Sequence, residues 1–336
     1  MKVITKITSL FLVIAMIACA LISCSEDVSL ESTEEDLRTV MTIEGFDVPY
    51  EQFRYFFMNY KTQIESGESD VWTKEGGDAL RADLDASVVG ALRGVYAVLD
   101  LCRDYGININ DDSIQLAVEA TIAETIESYD GKNNGHKKYA AGLAENYMTD
   151  SVYRFLVGVD LCETELYNTF LDLSVIDGSD EAALANINGD DFIRTVQILI
   201  KNDAGDDVEE NRKTAEDLLA RIKNGEDFDT LVGRYSEDLS MTPDGYYSTH
   251  LELIEEYEEE AYKLEIGEVS EVVESYLGFH IIKRLPKESE YIEKNFDNLK
   301  TQYLASSFYS ILEEEKGKLD VQKNSLYESF TVENMK

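Results

Sequence analysis

The sequence predicts an α+β protein in which a helical domain is interrupted by a smaller domain that contains strands. Three observations lead there. Apolar residues recur at three- and four-residue steps over much of 50–172 and again over 290–317, the spacing of amphipathic helices. At Ile193-Arg-Thr-Val-Gln-Ile-Leu-Ile200 the pattern changes to a β-branched run that reads as a strand. A second run, Phe279-His-Ile-Ile-Lys-Arg284, closes a strand–helices–strand unit of about 100 residues, a normal domain size.

Composition narrows the function classes. The chain has 336 residues, 30 Lys+Arg against 68 Asp+Glu, and a net charge of −38. That length implies more than one domain, and a hydrophobic fraction of 44% suffices for packed cores. The charge excludes a nucleic-acid partner, which needs a Lys/Arg surface, and docking on anionic lipid through a basic face. Three histidines and four cysteines with no Cys-x-x-Cys pair leave little for a zinc site. No metal site and no cofactor are expected. The Asp cluster at 203–207 lacks EF-hand spacing.

Taken in order, residues 1–24 read as an address. Lys2 and Lys6 precede an apolar run from Leu10 to Leu21, too short for a comfortable membrane span and suited to a signal peptide. The run ends in Leu21-Ile22-Ser23-Cys24, which resembles the lipobox of bacterial lipoproteins. That resemblance implies that Cys24 is lipidated and becomes the mature N-terminus. Two acyl chains anchor stably where one does not. The acidic, serine-containing residues 25–36 read as a solvated tether.

A helical N-terminal domain is expected over 37–189. Residues 38–48 form a short strand with Gly45 as a turn, and Pro49 opens a helix with Phe53, Phe56, Phe57, Tyr60 and Ile64 on one face. Leu80, Leu84, Val88, Leu92, Val95, Leu99 and Cys102 mark the next helix, which Gly106 stops. Residues 111–128, 136–148 and 151–172 are further helices, the last with Val152, Leu156, Val159 and Leu166 on one side. Cys102 and Cys162 both fall on apolar stripes and are expected as buried free thiols, with a disulfide open in an exported protein. Residues 173–190 break the helical pattern.

In the middle domain, 190–287, helices are expected over 211–223, around Phe228, Leu231, Val232 and Tyr235, and over 257–264. Residues 288–336 supply a long amphipathic helix with Ile292, Phe296, Leu299, Tyr303 and Leu312 on one stripe. It is expected to pack back on the N-terminal helices.

Leu264-Glu-Ile-Gly-Glu-Val-Ser270 followed by Ser275-Tyr-Leu-Gly-Phe-His-Ile-Ile-Lys283 resembles the C-terminal half of the parvulin peptidyl-prolyl isomerases. Gly225-Glu-Asp-Phe228, Tyr235-Ser-Glu-Asp238 and Gly245-Tyr-Tyr247 resemble that family's middle segment and central turn. The resemblance implies a small antiparallel sheet surrounded by helices, inserted in a helical chaperone cradle. A parvulin unit flanked by helices behind a lipobox resembles the PrsA-type foldases of Gram-positive bacteria, and the periplasmic SurA chaperones share the cradle plan. The implied place is the extracytoplasmic side of the cell membrane, held by lipid on Cys24. The implied partners are unfolded or partly folded exported polypeptides containing X–Pro bonds. Oligomeric state stays open, a dimer included.

Parvulins place two histidines and a Cys or Asp on the floor of a proline slot. Carried over residue by residue, His280 matches the second histidine and Asp238 the Cys/Asp position. Leu253 and Tyr257 match the apolar residues that hold the proline ring, with Tyr246 and Tyr247 of the central turn also expected at the substrate. The first family histidine is Gln197 here, and the serine that often precedes Gly-x-His is Leu277. A folded groove with reduced isomerase activity is expected from these departures. The alternatives are a holdase with a degenerate parvulin domain and, from another class, a solute-capturing lipoprotein, against which stands the lack of two α/β lobes. The loop Lys201–Glu210 is too acidic for phosphoserine selectivity. Six of the nine residues from Glu252 to Glu260 are glutamate, which predicts neutral or basic flanks beside a target proline.

Overall fold

The computed structural model describes residues 31–129, 135–203, 205 and 207–335. Residues 1–24, with the lipidation position Cys24, and the first part of the tether lie outside the described residues. The chain forms two compact units. One comprises residues up to Asp172 together with Ile311–Lys336, the other Leu173–Ser310.

The first unit opens with strands β1 (Thr39–Ile43) and β2 (Phe46–Pro49), antiparallel with Ile43 opposite Phe46. Glu44 and Gly45 between them both have positive φ, 46° and 80°, as a two-residue hairpin with the right-handed strand twist requires. Helices α1 (Tyr50–Glu65), α2 (Gly77–Asp104), α3 (Asp112–Ser128), α4 (Gly135–Glu145) and α5 (Asp150–Asp172) follow. Phe53, Phe56 and Phe57 are buried on α1, and Leu84, Val88, Leu92, Val95, Leu99 and Cys102 on α2. Gly106 (φ 72°) ends α2 in a Schellman arrangement: its N–H donates to Arg103 O and that of Ile107 to Cys102 O. Cys102 and Cys162 are buried free thiols.

In the second unit α6 (Asp180–Asn188) forms where the sequence reading saw only broken pattern. Ser179 caps it by accepting from Ala182 N at 3.1 Å, and only Ala183 and Ile187 are buried on it. Two buried positions in nine residues are too few to show a period. Strand β3 (Ile193–Lys201), helices α7 (Val208–Lys223) and α8 (Phe228–Tyr235), strand β4 (Tyr246–Ser248), helix α9 (Glu255–Lys263) and strands β5 (Val273–Ser275) and β6 (Gly278–Leu285) follow. The four strands form one antiparallel sheet in the order β4-β3-β6-β5.

The two-residue period of the strands sorts this sheet into two faces. Val196, Ile198, Ile200, Phe279 and Ile281 pack on Ala215, Leu218 and Leu219 of α7 and on Phe228 and Leu231 of α8. Ile193 and Ile282 on the opposite face pack on Tyr257, Ala261 and Leu264. Gly278 opens β6 with φ 138°, and a Cβ there would lie 2.1 Å from Ile200 O, so only glycine fits.

Helix α10 (Ser289–Lys318) divides its stripe between the two units. Ile292, Phe296, Leu299 and Tyr303 pack with Ala183, Ile187, Phe192 and Tyr247 of the second unit, and Leu312 falls in Ile311–Lys336, which belongs to the first. A non-helical Asn295 (φ −110°) interrupts the helix. Strand β7 (Val321–Lys323) then pairs with β1 in the order β2-β1-β7. No helix among the described residues is long and apolar enough to cross a membrane.

Candidate active site

The face of the sheet that α9 covers carries a connected set of polar side chains. In the β3–β6 ladder Gln197 stands opposite Ile282 and Leu199 opposite His280. Gln197 and His280 are therefore diagonal neighbours on one face, within reach of each other. His280 Nδ1 and Gln197 Oε1 are 2.7 Å apart, and Gln197 Nε2 donates to Asp238 Oδ2 at 2.6 Å. On the far side of the imidazole, Ser275 Oγ on β5 lies 2.7 Å from His280 Nε2. His280 is 1% exposed and Gln197 6%.

Asp238 gathers donors. It accepts from Ser240 Oγ at 2.7 Å, Ser240 N at 3.1 Å and Tyr246 OH at 2.8 Å, besides Gln197. Burial alone would raise its carboxyl, but the bonds from Ser240, Tyr246 and Gln197 outweigh it and hold Asp238 below the usual range. Burial, reinforced by the bond to Asp238, pushes the Tyr246 phenol up to about 12. Burial lowers His280, against the opposing charges of Asp238 and Glu256.

These bonds fix the direction of every donor. An ionised Asp238 only accepts, so the Gln197 amide must turn its NH₂ towards it. The Gln197 carbonyl oxygen then faces His280, and the imidazole proton sits on Nδ1. That leaves the Nε2 lone pair to accept from the Ser275 hydroxyl, which in turn accepts from Leu277 N at 3.1 Å. Gln197 thus orders the His280 tautomer through its amide.

The apolar part of the site comes from α9 and the turn before it. Tyr257, 3% exposed, meets the His280 ring edge-on, with centroids 5.6 Å apart and planes at 81°. Its hydroxyl donates to Thr195 Oγ1 at 2.9 Å. Leu253 packs beside Tyr257. Its turn is held by Glu258, whose carboxylate accepts from Leu251 N at 3.0 Å and Leu253 N at 3.3 Å.

The structure brings together His280, Gln197, Asp238, Tyr246, Tyr257 and Leu253. It does not bring Tyr247. Adjacent strand residues point to opposite faces, so Tyr247 stacks on Tyr291 at 3.9 Å, and its hydroxyl accepts from Glu288 N at 3.0 Å. Ser275 and Ser240 escaped the sequence reading. The loss counted at Leu277 is made good by Ser275, two residues earlier. Its signal was legible only through the β5–β6 hairpin, which sets Ser275 opposite Gly278. Among the described residues no group of three or more His, Cys, Asp or Glu is placed to hold a metal ion.

Residues 197–285 match the Rotamase family, the PPIC-type PPIASE domain. This segment is a PPIC-type peptidyl-prolyl isomerase domain, the class that the sheet and its polar floor define. The chain is similar to the foldase protein PrsA of Geobacillus kaustophilus, 35% identical over 114 residues, which cover 33% of this chain and 36% of that protein. That match thus spans about a third of the relative's length. A longer match joins it to PrsA of Caldanaerobacter subterraneus, 24% identical over 284 residues, 82% of this chain and 81% of that one. Among solved structures, PrsA of Bacillus anthracis aligns at 18% identity over 68% of this chain and 96% of its own, with a TM-score of 0.36.

Proposed function

We propose that this protein is a lipid-anchored foldase on the extracytoplasmic side of the cell membrane. Its middle domain isomerises X–Pro bonds, and its helical unit holds unfolded exported chains. The observation that carries the reading is the unbroken hydrogen-bond chain Ser275–His280–Gln197–Asp238–Tyr246, bordered by the apolar Tyr257 and Leu253, inside the segment matched as a PPIC-type domain.

The chemistry needs no covalent step. Rotation about an X–Pro bond crosses a barrier of ~18–20 kcal/mol and takes tens to hundreds of seconds unaided. Tyr257 and Leu253 hold the proline ring against an apolar wall. His280 and Asp238, fixed by Gln197, Ser275 and Tyr246, present polar groups that cost no reorganisation as the amide twists. Each ~1.4 kcal/mol taken from the barrier accelerates the turn tenfold.

Exchange of a proline peptide followed by NMR line broadening tests the isomerase. The wild type should broaden the cis and trans signals and His280→Ala should fall towards the no-enzyme control. The rate should hold above pH 6.5 and decline below it. Burial sets the folded His280 pKa under its ordinary 6.5, so protonation on acidification turns Nε2 into a donor and breaks its acceptance from Ser275. The same shift removes stability as pH falls from the unfolded pKa through the folded one. Wild-type exchange no faster than the control would leave the holdase reading, which the loss of the family's first histidine to Gln197 favours. Suppression of client aggregation by the whole chain would then be its surviving activity.

The anchor rests on the charges, apolar run and Cys24 of residues 1–24. Radiolabelled palmitate should enter the wild type and not Cys24→Ala. Equal labelling would place the lipid elsewhere.

A further inference from the structure

The turn that carries Leu253 to the proline slot is held in part from outside the segment 197–285 matched as a PPIC-type domain. It joins β4 to α9, and Leu251 within it has φ 68°. That left-handed value is costly for a leucine and persists where surrounding bonds over-determine it. Glu258 supplies two such bonds from α9. Others come from Gln302 and Ser306 of α10, which lie in the same unit as the turn.

Both amide hydrogens of Gln302 are engaged there. Its Nε2 donates to Tyr247 O at 3.2 Å and to Glu252 Oε2 at 3.3 Å. Glu252 also accepts from Thr249 N at 2.8 Å, which closes the turn on itself. About one helical turn beyond Gln302, Ser306 Oγ accepts from Thr249 Oγ1 at 3.4 Å, and both residues are buried. Helix α10 thus grips two things: the strand β4, whose Tyr246 bonds Asp238, and the turn that leads to Leu253. The helix itself is seated by Ile292 and Leu299, which pack with Ala183, Ile187, Phe192 and Tyr247. The effect of the polar bonds therefore falls on the turn.

We infer that Gln302 and Ser306 are positioning residues of the proline slot, setting Leu253 against the proline ring through the Thr249–Leu253 turn. The role deepens the isomerase reading and rests on it, and it adds to the site a helix that the matched segment does not contain. The bonds that link Ser275, His280, Gln197 and Asp238 involve neither residue. Losing Gln302 or Ser306 should therefore weaken proline binding while the twisting step on the polar floor continues, the pattern of a lost uniform binding interaction.

The test uses the whole protein and one proline peptide. Affinity is read from amide shift changes, and isomerisation at saturating peptide from line broadening. Gln302→Met keeps the length of the side chain without its donors and should weaken binding by about five-fold, the worth of a typical hydrogen bond. Ser306→Ala should act in the same direction. In both, the rate at saturation and the His280 ring nitrogen signals should stay as in the wild type. Gln302→Lys returns a donor to Tyr247 O and Glu252 and should recover most of the affinity. Thr301→Ala should bind as the wild type does, since that hydroxyl donates to Asp297 O within α10 at 2.9 Å. Unchanged affinity in Gln302→Met and Ser306→Ala overturns the inference and leaves the isomerase reading standing. So does a rate at saturation that falls with the folded fraction while affinity holds, because the two residues then only stabilise the unit. Binding without exchange in the wild type, weakened by Gln302→Met and recovered by Gln302→Lys, supports the positioning role and defeats the isomerase reading. A wild type that neither binds nor exchanges the peptide defeats both.

Discussion

A chain ending at Lys318 should lose the folded N-terminal unit. The residues beyond it carry few sequence signals, yet they complete that unit's core. Leu319, Tyr327, Val332 and Met335 are 4, 8, 7 and 1% exposed. The Tyr327 and Phe330 rings lie 5.0 and 5.6 Å from that of Phe53, and Phe330 stacks on Tyr50 at 4.8 Å. The Tyr327 hydroxyl donates to Asp85, which also meets Lys323 at 2.8 Å. Strand β7 satisfies the outer edge of β1, whose Val40, Met41 and Ile43 are fully buried. Burying a large apolar side chain stabilises by ~1.5–3 kcal/mol, so four of them contribute roughly 6–12 kcal/mol. That rivals the whole stability of a domain, ~5–15 kcal/mol. Helical circular dichroism should fall sharply and the amides of α1 and α2 should lose exchange protection. A truncated chain that melts with the wild type would show that the tail merely covers a finished core.

That tail also marks where sequence reading stops. The helices α1, α2 and α5 were legible because their stripes repeat over several turns, and each repeat adds to the signal. The three residues of β7 have no period to read, and the partner that makes them a strand lies 278 or more positions earlier, at Ile43 and before it. The reverse happened in α10: its stripe was read correctly, but periodicity gives a buried face without naming what covers it. In the site, residue types and spaced motifs located Gln197, Asp238 and His280, but that Gln197 and His280 share one face follows from the β3–β6 register, which a one-residue slip would undo. Alternation also separates Tyr246 from Tyr247, which the reading had kept together. Ser275 was missed because its reach to His280 depends on the hairpin between them, where Gly278 alone permits the close approach to Ile200. Long-range pairing, more than chemistry, was the illegible part.

Gln197→Leu should disable the site while leaving the sheet folded. Leucine fills similar space on β3 but can neither accept from His280 nor donate to Asp238. The His280 Nδ1–H, 1% exposed as a residue, would have no acceptor, at a cost of about 1–3 kcal/mol. Asp238 keeps Ser240 and Tyr246 and stays ionised. The imidazole escapes part of its cost by moving the proton to Nε2, where Ser275 can accept it. That reverses the direction of the Ser275 bond. Ring nitrogen NMR should therefore report a protonated Nδ1 in the wild type and a shift towards protonated Nε2 in the variant, with isomerisation at least ~10-fold slower. Gln197→Glu separates tautomer control from simple packing. It keeps an acceptor for His280 but sets a second carboxylate where Gln197 now donates to Asp238 at 2.6 Å. Repulsion between the two raises the pKa of the introduced carboxyl, so one proton is shared as pH falls and the donor to Asp238 returns. Its activity should then recover on mild acidification, in the direction opposite to the wild type, until His280 itself protonates. If both variants keep the wild-type tautomer and rate, the amide of Gln197 is a spectator, and the polar floor works without it.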